Sequence, residues 1–209
     1  MYGSGRRSYV VVIPKSVGKV TATSARVAGR TDSMPRRLLL VWHSRTGLAR
    51  SMADALEHGA LAAASEMEAA TFTIEKKRAR DATLDDLLQA SGYLFCAPEN
   101  LASTSGEMLE FFHSTYYQAF STDALGETSR LLGRPCGIAI AAGNDGRAAA
   151  EQVERICRGW RLRLVAEPLI HRNGQPQTKD LILRPKVCPS EVSERCAELG
   201  GLVAATILL

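Results

Sequence analysis

Three short segments of this chain carry the residue types from which ligand chemistry is built. The first, His43-Ser44-Arg45-Thr46-Gly47-Leu48-Ala49, sets two hydroxyls and a glycine between an apolar run and a helical pattern. A helix start there leaves backbone N–H groups unpaired, and the helix dipole adds to their pull on an anion. Ser44 and Thr46 can donate further hydrogen bonds, so the segment suits a phosphate. The same hydroxyls can equally serve as ordinary helix caps. Arg45 can pair with a phosphate or point to solvent. The second segment, Pro98-Glu99-Asn100-Leu101 followed by Ala102-Ser103-Thr104-Ser105-Gly106-Glu107, offers a carboxylate, a carboxamide and backbone amides. It is long for a plain strand-to-helix connection. The third, Gly143-Asn144-Asp145-Gly146-Arg147, has two glycines that permit close backbone approach and two polar side chains suited to a ring edge or a turn.

No GK[ST] triplet and no GxGxxG run accompanies these segments, which argues against ATP, GTP and a Rossmann-bound dinucleotide. The four histidines, His43, His58, His113 and His171, are dispersed, and His43 alone borders the phosphate-suited segment. No nucleophile–base pair stands out, and no two cysteines show CxxC spacing, so no catalytic side chain and no metal ligand is assigned.

The elements that must position these segments follow from hydrophobic patterning. Leu38 to Trp42, Ala69 to Ile74, Gly92 to Ala97, Cys136 to Ala142 and Leu162 to Ile170 read as five strands. Their continuous apolar character is that of strands covered on both faces. Helices are expected over Leu48 to Met67, Leu84 to Leu88, from Ser105 through Tyr116, over Arg147 to Arg158 and over Ser190 to Ala205. The charged run Glu75 to Asp81 reads as a solvated turn. Pro98 reads as the end of the third strand. Alternation of strands and helices implies a parallel sheet between two helical layers. In such sheets ligands bind outside the carboxyl ends of the strands, where the strand order reverses. The three segments follow strands one, three and four, so they converge on that edge.

The chain has 209 residues, room for one domain with a sizeable core. Its formal charge of +4 is concentrated at the start. Residues 1–37 hold Arg6, Arg7, Lys15, Lys19, Arg26, Arg30, Arg36 and Arg37 against Asp32 alone, and the rest has fewer basic than acidic side chains. That distribution argues against a nucleic-acid-binding domain surface. Residues 1–35 are expected to form a basic, loosely ordered extension, and residues 36–209 the folded domain. No apolar run is long enough to cross a membrane. The five scattered cysteines suggest reduced thiols and a cytoplasmic protein. Phe111, Phe112, Tyr116 and Tyr117 read as core and helix-packing aromatics, or as an edge offered to a second subunit.

With these residues in view, the sequence resembles the flavodoxin-like superfamily, and specifically its NAD(P)H-dependent FMN reductase and quinone reductase branch. The segment HSRTGLAR (His43 to Arg50) is similar to the family's SxTGxT phosphate loop, PENLASTSGEMLEFF (Pro98 to Phe112) to its second flavin loop and the helix behind it, and AAGNDG (Ala141 to Gly146) to its third. The resemblance implies a three-layer α/β sandwich with a five-stranded parallel sheet of order 2-1-3-4-5. It implies FMN as cofactor, with Ser44, Arg45, Thr46, Gly47, Leu48 and Ala49 around the phosphate. Pro98, Glu99, Asn100 and Leu101 would border the ring, and Gly143, Asn144, Asp145 and Gly146 would close its other side. It implies NAD(P)H as reductant, a quinone or flavin as small-molecule acceptor, and a homodimer. There are departures. The second and third loops lack the Trp, Tyr or Phe with which electron-carrier flavodoxins cover the ring, which favours a reductase over a carrier. Leu48 stands where a polar residue is commoner.

Overall fold

The apolar runs pair into one mostly parallel sheet. In the computed structural model, which describes residues 36–123 and 126–209, β1 (Arg36–Trp42) lies between β2 (Phe72–Arg78) and β3 (Gly92–Asn100). Next to β3 runs β7 (Pro135–Ala142), and the far edge holds β8 (Arg163–Leu164) and β9 (Leu169–Arg172), both paired with β7. All these pairings are parallel. The order β2-β1-β3-β7-β8 reverses direction between β1 and β3. The site-bearing segments leave the carboxyl ends of β1, β3 and β7.

Strict alternation along the strands divides the core in two. Leu38, Leu40, Leu94 and Ala139 face α1 (Leu48–Glu66) and α6 (Ser190–Leu208). Leu39, Val41, Tyr93, Phe95, Ile138 and Ile140 face α2 (Leu84–Gln89), α3 (Gly106–Thr115) and α4 (Arg147–Gly159). Helices on both faces make the three-layer sandwich. The first face rests on close helix packing. A Cβ added at Gly59 of α1 would lie 1.9 Å from the Ala197 carbonyl oxygen, and one at Gly200 of α6 would lie 2.0 Å from that of Leu56. The second face is aromatic: Phe112 meets Phe95 edge-on at 5.3 Å and Trp160 at 5.6 Å, and Tyr116 stacks on Trp160 at 5.8 Å. Phe111 and Phe112 are therefore core residues, Tyr116 packs against the core, and Tyr117 stands exposed.

Several boundaries differ from the sequence expectation, each for a local reason. The sheet has seven strands rather than five. The expected fifth strand, Leu162 to Ile170, is split in two around Val165–Pro168, where Pro168 has no N–H to give to a ladder. The seventh is β4 (Ser103–Thr104), which folds back antiparallel onto the end of β3. β3 itself runs on through Pro98 to Asn100, because the proline sits beyond the apolar centre of the strand, paired with Ala141 at the rim. Of the charged run expected as a turn, Glu75 to Arg78 form the second half of β2 and only Ala79 to Asp81 make a single 3-10 turn. An edge strand tolerates charges, and here they are paired: Lys76 with Asp54 and Glu57, Lys77 with Glu75 and Asp86. Two elements had no counterpart in the sequence reading. One is the hairpin β5 (Phe120–Asp123) and β6 (Gly126–Ser129), and the other the short helix α5 (Lys179–Ile182). The expected N-terminal extension, residues 1–35, lies outside the described residues. Among the described residues no helix is long and apolar enough to cross a membrane.

Candidate functional site

The turn between β1 and α1 is built around Gly47, whose φ of 98° is one that L side chains rarely adopt. It is the cap residue of α1, and no side chain caps the helix. The Ser44 hydroxyl accepts from the Gly47 N–H at 3.0 Å, across the turn rather than from the helix. The alternative in which Ser44 or Thr46 merely caps α1 is thus not what the fold does. Hydrogen bonding into the helix begins with the Ser51 N–H, which donates to the Gly47 carbonyl at 2.9 Å. Among the described residues, the N–H groups of Arg45, Thr46, Leu48 and Ala49 have no protein acceptor. These free donors at a helix start can receive an anion. Arg45 is exposed beside it and forms no ion pair among the described residues.

The second segment is a two-residue hairpin. Glu99 pairs with Thr104 and Asn100 with Ser103, and the intervening Leu101 and Ala102 have φ of 52° and 59°. Positive φ at both central residues is the signature of the primed turns that suit the strand twist. Non-glycine residues pay strain there. Leu101 is fully exposed at the tip. The Glu99 carboxylate reaches across to the third segment and accepts from the Gly146 N–H at 3.0 Å. Gly146, with φ of 74°, is the cap residue of α4. The carboxylate of Asp145 accepts from Arg147 at 2.8 Å, and that contact holds it below the usual carboxylate range.

These three segments enclose one cleft of about 500 Å³, within the range of small-molecule sites. Ser44, Arg45, Thr46, Leu48 and Ala49 line it, as do Pro98, Glu99, Asn100, Leu101, Gly143, Asn144 and Asp145. The remaining two expected residues, Gly47 and Gly146, do not face the cleft. They turn the backbone at the starts of α1 and α4. His43 lies behind the cradle, 3.4 Å from the Glu107 carboxylate, and burial lowers its pKa. A second cleft, between α3 and α4 at Phe112, Tyr117 and Arg155, lies off the carboxyl edge.

Sequence reasoning missed one wall. After β9 the chain crosses from the third segment back to the first. Arg172 donates to the Asp145 carbonyl at 2.8 Å, and Asn173 donates through its backbone to Ala142 at 3.0 Å. At the other end the Lys186 N–H donates to the Thr46 carbonyl at 2.7 Å and the Cys188 N–H to the Ser51 hydroxyl at 2.9 Å. The Lys186 ammonium is spent on the carbonyls of Leu181, Ile182 and Arg184. Between these anchors, Gln175, Gln177 and Leu181 to Leu183 line the cleft. The signal available in the sequence was position alone: this polar stretch follows the fifth strand at the same edge of the sheet.

The carboxyl-edge cleft, the strand reversal and the β1–α1 amide turn together decide the fold. It is flavodoxin-like. The flavodoxin-like chain superposes on a flavodoxin from the domain Archaea with a TM-score of 0.61 at 14% identity, covering 83% of this chain and 99% of that one. An oxidoreductase from Corynebacterium diphtheriae gives 0.60 at 18% identity, over 84% and 98%. A WrbA-like flavodoxin from Agrobacterium tumefaciens gives 0.57 at 13%, over 83% and 98%. No protein-family model and no curated protein matches the sequence.

Proposed function

We propose that this chain binds FMN in the carboxyl-edge cleft and serves as an NAD(P)H-dependent oxidoreductase for a small acceptor such as a quinone or a free flavin. The observation that carries the reading is the run of unpartnered amides at Arg45, Thr46, Leu48 and Ala49, opening into a cleft large enough for a heteroaromatic ring. The donor set fits the cofactor. A dianionic phosphate ester needs several converging donors, and a helix N-terminus supplies them together with a favourable dipole. Ser44 would add its hydroxyl proton, because its oxygen already accepts from Gly47. Thr46 would add its own hydroxyl.

At the other end, Pro98 to Leu101 and Gly143 to Asp145 would hold the ring, with Glu99 tying the two loops together through Gly146. When bound, the flavin supplies the hydride and electron transfer, and the protein binds and orients. That is why no acid–base constellation is required of the side chains. The reductase is favoured over a carrier by the lining: among the described residues no Trp, Tyr or Phe lines the cleft. Without an aromatic cover, a ring held there would keep one face for a nicotinamide to approach.

The test is anaerobic addition of NADPH or NADH to the FMN-loaded protein. Bleaching of the visible flavin band at a rate that saturates with nicotinamide is expected. A protein that binds FMN and stays oxidised with both nucleotides is a carrier, and the reductase reading falls.

A further inference from the structure

The segment from Asn173 to Lys186 is graded from end to end. Its first part carries three carboxamides, at Asn173, Gln175 and Gln177, its middle the apolar Leu181, Ile182 and Leu183, and its last part a backbone tie to the phosphate-suited turn. A ligand with an anion at the first loop and a polar heterocycle at the third would run alongside it in matching order. Gln177 lines the cleft at its third-loop end. Its carboxamide lies against Gly143, so near that a Cβ there would be 2.7 Å from Nε2 and 2.9 Å from Oε1. One N–H of that amide goes to the Gln175 carbonyl at 3.0 Å. The second N–H and the oxygen have no partner among the described residues. The missing side chain at Gly143 leaves room for the carboxamide at the cleft wall.

Resting on the FMN reading above, we propose that Gln177 is the residue that recognises the imide edge of the flavin ring and supplies the ring selectivity that the aromatic-free loops lack. A carboxamide presents a donor and an acceptor side by side, the complement of an imide N–H next to a carbonyl. The contact belongs to the strap after β9, not to the three loops that carry the cradle. Its loss is therefore separable from loss of the phosphate contact. Gln177 is exposed in the free protein, so replacing it leaves the core untouched.

The experiment is titration of FMN, riboflavin and N3-methylriboflavin with the full chain, read by flavin fluorescence. Wild type is compared with Gln177→Leu, which keeps the bulk and removes the polar atoms, and with Gln177→Glu, which removes the donor. One neutral hydrogen bond corresponds to an affinity change of about three- to tenfold. Gln177→Leu should lose about that factor for FMN and for riboflavin alike, and should no longer distinguish riboflavin from its N3-methyl derivative as wild type does. Gln177→Glu should lose at least as much. Wild-type affinity for FMN in both variants would overturn the proposal while leaving the FMN reading intact. Absence of FMN binding by the wild-type protein would overturn both.

Discussion

Placing a carboxylate in the amide turn tests the anion cradle by charge. Thr46 is half-buried in a turn that lines the cleft and carries free N–H groups, and among the described residues no cationic side chain hydrogen-bonds to it. A Thr46→Glu carboxylate would stand about 5 Å from a phosphate carrying roughly −1.5 to −2 charges. Coulomb repulsion at that distance, with a dielectric between about 40 and 80, comes to about 1.2–3.3 kcal/mol. FMN affinity should therefore fall about 8- to 270-fold. Riboflavin has the same ring and no phosphate, so its affinity should change by less than about threefold, the effect of altered packing alone. Thr46→Gln, of glutamate's size and uncharged, should cost FMN only the lost hydroxyl bond, about three- to tenfold, and should leave riboflavin within the same limit. Because the Debye length shortens to about 3 Å in 1 M salt, the FMN penalty should also shrink there. Fluorescence titration of both flavins at low and high salt measures all of this. Equal losses for FMN and riboflavin, or a salt-independent FMN loss, would refute the reasoning.

The fold makes further predictions of definite sign. Gly59→Ala and Gly200→Ala place a methyl about 2 Å from backbone carbonyl oxygens of the facing helix. Each should lower stability by about 2–3 kcal/mol in urea unfolding, although alanine in a helix ordinarily gains about 1 kcal/mol over glycine. Leu101→Gly relieves a left-handed leucine at an exposed tip. It should hold or raise the unfolding free energy, by up to about 1 kcal/mol. Asp86 is buried. Desolvation alone would raise its pKa, but Lys77 and the Thr83 hydroxyl and N–H bring it below the ordinary 3.8. Its contribution is present above that ordinary value and is lost as pH falls through the lower folded value. Asp86→Asn should cost about 1–2 kcal/mol near pH 7 through the capping box at α2. The difference from wild type should vanish in strong acid.

Much of this architecture was legible because parallel strands buried on both faces announce themselves as unbroken apolar runs. Leu38 to Trp42 and Cys136 to Ala142 are such runs, and both fall within observed strands. The edges were harder. Phe72–Arg78 is half charge, and only its partners on α1 and α2 explain why Lys76 and Lys77 can sit in a strand. The hairpin turn at Leu101 and Ala102 has no Gly, Asn or Asp to signal positive φ, so it read as open loop. The strap from Asn173 to Lys186 has no periodicity, and what fixes it is tertiary: two backbone bonds to Ala142 and Thr46. At the site, the residues facing the cleft were found from loop position, whereas the roles of Gly47 and Gly146 as turn-formers needed their backbone angles.

The central claim is that the start of α1 holds a phosphate ester. It is tested most directly by titrating FMN and riboflavin separately into the purified wild-type chain and following flavin fluorescence. One FMN is expected per chain, with FMN held at least about tenfold more tightly than riboflavin, since several charge-assisted amide bonds contribute only to the former. Equal affinities for the two flavins, or no quenching of FMN at micromolar protein, would contradict it.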